Sequence, residues 1–136
     1  MIAAKRLKLA TFYLDEAIYS RVLVEAMRAA GANVRHAGEA FPFGTPDAVW
    51  LEGAGRNGWI VLTRDQKIRH RRLERDSLMA ARIGAFAFTA GQATALETAV
   101  AVTQLLQKMA NMVVSEKKPF LYTFGMSRSL TRVALK

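Results

Sequence analysis

The sequence predicts a three-layer α/β domain: a mostly parallel central sheet flanked by helices, with a C-terminal β-hairpin, filling residues 1–136 as one unit. Three observations carry this reading. Apolar, strand-like segments alternate with segments of helical period, which implies parallel pairing through right-handed crossovers. The clearest strand, Trp59–Thr63 (WIVLT), is a continuous apolar run, as in a parallel sheet covered on both faces. The chain has 136 residues, 51% of them hydrophobic, the size of one domain with a core of its own.

The elements follow in order. Leu7–Leu14 (LKLATFYL) reads as a buried strand. Ala17–Ala30 places Ile18, Val22 and Ala26 at helical spacing, with Leu23 and Met27 beside them, and Gly31 follows at the position after the cap. Ala32–His36 is a short strand and Glu39–Gly44 a loop. Thr45-Pro46 opens a helix running to about Asn57, with Thr45 as its cap, Pro46 in its first turn and Gly58 at its end. After Trp59–Thr63 comes a strongly basic helical stretch, Gln66–Arg82. Ile83–Thr89 (IGAFAFT) is a fourth strand and Ala93–Val114 a long helix. Pro119–Phe124 and Leu130–Leu135 form the closing hairpin around a turn at Ser127–Ser129.

Composition removes several classes. There is no cysteine, so neither disulfides nor a thiolate zinc site can form. That fits a reducing cytoplasm. Met1–Leu9 has no apolar stretch of the kind a signal peptide needs, and no run approaches the roughly 20 residues of a membrane span. Twenty Lys and Arg oppose eleven Asp and Glu, a net charge of +9, which favours a polyanionic partner.

In a parallel sheet the ligand site lies beyond the carboxyl ends of the strands. Asp15-Glu16 follows the first strand, Asp47 stands at the start of a helix, and Thr63-Arg64-Asp65 closes the WIVLT strand. The chain has four aspartates, and three occupy such ends. Gathered carboxylates repel one another unless a cation compensates, and hard oxygen ligands suit Mg²⁺ or Mn²⁺. Each acid also has a purely structural role open to it. Asp15 and Asp65 can cap the helices that follow them, and Asp47 gains from the helix dipole. Glu52 is a rival to Asp47, but five helical residues are about 500° of turn, which leaves the two about 140° apart. Glu52, Glu16 and Thr63 are candidates for a supporting shell around the metal. Beyond Asp65, the stretch Arg64–Arg82 carries seven Lys or Arg against three acids. Arg64, Lys67, Arg69 and Arg72 are the candidates to grip the phosphates of a nucleic acid. His36, His70, Trp50, Trp59 and the Met109/Met112 pair read as packing or surface residues.

The segments FYLDEAIYSRVLVEAMRAAGANVRHAGE and TPDAVWLEGAGRNGWIVLTRDQKI, with the ending EKKPFLYTFGMSRSLTRVAL, resemble the PIN-like nuclease superfamily, in particular its small VapC-type toxin-like members. The resemblance implies a PIN-like sheet, Mg²⁺ or Mn²⁺ as cofactor and endoribonuclease activity. It places the family's metal-binding acids on Asp15, Asp47 and Asp65. A fourth acid, common in larger PIN domains, has no match, since Asp76 lies too far along the basic helix. The implied role is the toxin of a type II toxin–antitoxin pair. Its partners would be RNA and a cognate antitoxin protein, with a second copy of the chain as a candidate. The rival from another class is a catalytically inactive PIN-like module that binds RNA or a protein.

Overall fold

The computed structural model describes residues 2–64 and 72–135, with side chains from Lys5 onward. Helix α1 (Ile2–Leu9) precedes β1 (Thr11–Leu14), α2 (Arg21–Ala29) and β2 (Asn33–His36). Then come α3 (Asp47–Arg56), β3 (Ile60–Thr63), α4 (Arg72–Ala81) and β4 (Gly84–Phe88). Helix α5 (Ala95–Ser115), β5 (Phe120–Phe124) and β6 (Thr131–Arg132) follow. The six strands form one sheet in the order β2-β1-β3-β4-β5-β6. All neighbours are parallel except β5 and β6, which pair antiparallel, Tyr122 opposite Arg132.

The layers follow from which faces are apolar. Phe12, Leu14, Ile60, Leu62, Phe86 and Phe120 point to one face, where Leu23 and Met27 of α2 and Val102, Leu106 and Met109 of α5 meet them. Tyr13, Val61, Ala85 and Leu121 point to the other, against Trp50 and Leu51 of α3 and Leu78 of α4. Strands β3, β4 and β5 are buried at every position, which is why they carry no polar alternation. The α/β, three-layer expectation therefore holds.

Three local expectations change. Leu7–Leu9 is helical, not the start of the first strand: Leu7 is a core residue of α1, whose face packs on the apolar side of the sheet that α2 and α5 cover. Helix α2 starts at Arg21, not Ala17, because the Ser20 hydroxyl accepts from Leu23 N at 3.0 Å and caps it there. Thr45 does not cap α3. Its hydroxyl donates to the Pro42 carbonyl at 2.6 Å, and Pro46 takes the cap position. Gly31 follows α2 at φ +96, as expected.

Candidate active site

Strand β1 has β2 on one side and β3 on the other, so the chain leaves its carboxyl end at a switch point of the sheet, where crevices open. Asp15 is the first residue beyond β1 and is only 5% exposed. Its backbone N–H donates to Leu62 O at 3.3 Å, carrying the ladder one step past the strand. Its Oδ1 accepts from Ala17 N at 3.0 Å and Ile18 N at 3.3 Å, in the tight turn that leads away from β1. Its Oδ2 accepts from the Thr63 hydroxyl at 2.5 Å. Thr63 is the fully buried last residue of β3. An ionised carboxylate only accepts, and burial without donors would be costly, so these contacts are what hold Asp15 in place.

Asp47 is half-buried at the first position of α3, and its Oδ1 accepts from the indole Nε1 of Trp50 at 3.0 Å. Residues three apart on a helix are neighbours, so Trp50 both fills the core and fixes the acid that precedes it. Glu16 is exposed, and its Oε1 accepts from the Gly44 backbone N–H. Asp15, Glu16 and Asp47 all line one pocket of about 190 Å³, walled by Tyr13, Ala37, Pro42, Thr45 and Trp50. Among the described residues, no lysine or arginine lines it. Burial first, then the charges of Asp15 and Glu16, push the Tyr13 phenol above the ordinary tyrosine range.

A family model described as a PIN-like domain matches residues 10–90, more than half of the chain. The chain belongs to the PIN-like domain family. The match runs from just before β1 to just after β4 and so contains the whole pocket. PIN-like domains are generally nucleases, that is hydrolases, and typically use divalent metals. No curated protein and no solved structure matches the chain.

The remaining expected residues of the PIN-like site divide by position. Asp65, Lys67 and Arg69 lie outside the described residues. Thr63 touches Asp15 directly, and Glu16 lines the pocket although neighbours at a strand end usually diverge. The divergence fails because the turn begins at Glu16, just after Asp15 has extended the ladder. Glu52 faces elsewhere: it accepts from Arg56 at 2.6 Å and lines a separate hollow between α3 and α4. Arg64 turns toward the other face of the sheet, donating to the Thr98 hydroxyl at 2.6 Å with its guanidinium 5.4 Å from the Phe88 ring centroid. It lines a hollow of about 150 Å³ with Tyr19, Ser20 and Thr98, next to the acidic pocket and sharing Ala17 with it. Arg72 is exposed on α4, 4.0 Å from Asp76. Two contributors escape the sequence reading, Tyr13 and the Trp50 indole. The Asp47/Trp50 spacing of three on a helix is the available signal for the second.

The donor set suits a hard divalent ion, since it is all oxygen and no described cation competes in the pocket. Among the described residues no three acids or histidines converge closely enough to hold an ion together. The described carboxylates of the pocket therefore do not by themselves form a complete cage for an ion.

Proposed function

We propose that this PIN-like protein is a metal-dependent endoribonuclease, hydrolysing phosphodiester bonds of RNA in the cytoplasm as the toxin of a type II toxin–antitoxin pair. The observation that supports this most is Asp15, Glu16 and Asp47 facing one pocket, with no basic residue among its described walls, in a chain whose net charge is +9. Asp15 and Asp47, with Asp65, would hold Mg²⁺ or Mn²⁺. Such an ion supplies Lewis-acid charge at the phosphate and activates water. The protein's own part is positioning. Thr63 and the turn amides fix Asp15, Trp50 fixes Asp47, and Glu16 stands at the pocket with its carboxylate open to solvent. The basic surface, with Arg64, Lys67, Arg69 and Arg72 as the proposed grip, draws the RNA backbone in.

The test is incubation of the purified chain with single-stranded RNA in Mn²⁺, Mg²⁺ or EDTA. Cleavage is expected with either metal, absent in EDTA and abolished in Asp47→Asn. Cleavage that persists in EDTA, or at an undiminished rate in Asp47→Asn, contradicts the proposal. For the toxin role, expression in a bacterial host should arrest growth, and Asp15→Asn should relieve the arrest.

A second reading is favoured by one observation: no three described acids or histidines converge on an ion. It makes the chain an inactive PIN-like module that binds RNA or a protein. It expects RNA binding that is the same with and without metal, and no cleavage.

A further inference from the structure

The loop between β2 and α3 holds two phenylalanines around Pro42, and they go opposite ways. Phe41 turns inward, its ring centroid 5.6 Å from Tyr13 and 6.2 Å from Trp59, and anchors the loop to the core. Phe43 turns outward and is 61% exposed. One edge of the ring lies against Gly38, where an added Cβ would stand 2.5 Å from it and push the exposed ring aside. Gly38 also has φ +87, which a side chain would strain further. Beside Phe43 lies Tyr19, at 6.2 Å between centroids, and Tyr19 stacks on His36 at 4.6 Å and 25°. Pro42 and Gly44, the two neighbours of Phe43 in the chain, line the acidic pocket, and the Gly44 N–H is tied to Glu16.

We infer that Phe43, seated against Gly38 and backed by Tyr19 and His36, is a stacking platform for an unpaired nucleobase at the edge of the acidic pocket. Stacking needs a splayed base, which a duplex does not offer. The platform fixes the base while the acids face the neighbouring phosphate. The inference rests on the nuclease reading of that pocket.

The experiment uses the full chain in EDTA, where no cleavage interferes. The probe is a short single-stranded oligoribonucleotide carrying a fluorescent base analogue that is quenched on stacking. Phe43→Ala should weaken binding roughly five- to 150-fold, the loss of one stacked base, and abolish the quenching. Phe43→Trp should restore both, Gly38→Ala should impair both, and binding of the matching duplex should not change. Because Phe43 is exposed, the alanine variant keeps the melting temperature of the parent. Unchanged affinity and quenching in Phe43→Ala overturn the inference and leave Phe43 as a protein-docking residue; wild type that neither binds nor quenches the probe overturns it too. Stacking without Mn²⁺-dependent cleavage would instead contradict the nuclease reading, and cleavage without stacking would contradict only the platform.

Discussion

Replacing Asp15 by asparagine keeps the shape of the side chain and removes its charge. The carbonyl of the amide can still accept from Ala17 N and Ile18 N, but as a neutral acceptor. Hydrogen bonds to a charged group contribute about 1.5–3 kcal/mol and neutral ones about 0.5–1.5. The amide nitrogen then faces the Thr63 hydroxyl, which in the parent donates to Oδ2 at 2.5 Å and must turn to accept. Removing the charge also relieves repulsion with Glu16 and Asp47, but Glu16 is exposed and Asp47 half-buried, so solvent already screens that repulsion. The donors win, and the variant should be about 1–2 kcal/mol less stable in EDTA. For a chain of this length that is a fall in melting temperature of roughly 3–10 °C. Thermal melting followed by circular dichroism at neutral pH reads it. An asparagine variant as stable as the parent, or more stable, would refute the claim that these donors serve a charged carboxylate, and repulsion would then dominate the pocket.

Three further outcomes are expected. The Tyr122 phenol donates to Glu116 at 2.5 Å, and that bond, then burial, holds it above its ordinary value of 10.0. The advantage of the parent over Tyr122→Phe in chemical unfolding should therefore be full below pH 10.0 and shrink as the pH rises above it; a gap that is constant up to alkaline pH would remove that role. Thr94→Ala breaks the capping box in which Thr94 Oγ1 accepts from Glu97 N and Glu97 Oε1 from Thr94 N, at 3.1 and 2.9 Å. It should lower the denaturant midpoint by the equivalent of about 1 kcal/mol at unchanged m, and no shift would mean α5 is held by packing alone. Reversing the charge of Lys67, Arg69 and Arg72 together should flatten the salt dependence of single-stranded RNA binding, by roughly 0.7 in the log–log slope for each phosphate no longer neutralised. An unchanged slope would move the grip to Lys117, Lys118, Arg128 and Arg132.

The legible parts of this molecule are those where one physical effect dominates. Ile60–Thr63 is buried on both faces, so its apolar run admits one reading. The separation of Asp47 from Glu52 follows from helix geometry alone, and the two line different hollows. Leu7–Leu9 is ambiguous because alternating lysine and leucine suit a strand by period, and what makes them helical is the apolar face that α1 joins with α5, invisible in a short window. Asp15 shows why capping and metal roles cannot be separated by sequence. It does accept from the amides of the following turn, as a cap would, yet its other oxygen reaches Thr63 across the sheet. Glu16 stands at the pocket beside Asp15 because the chain has already left the strand there, so the strand's alternation no longer sets its direction. The Phe43 platform depends on a contact with Gly38 that no periodicity encodes.

The central claim is that the acids beyond β1 and at the start of α3 bind a divalent cation. Calorimetric titration of Mn²⁺ into the purified chain tests it without reference to any RNA. The account expects one saturable site in the parent that disappears in both Asp15→Asn and Asp47→Asn, each of which stays folded. No saturable binding to the parent, or binding by the two variants equal to the parent's, would contradict it.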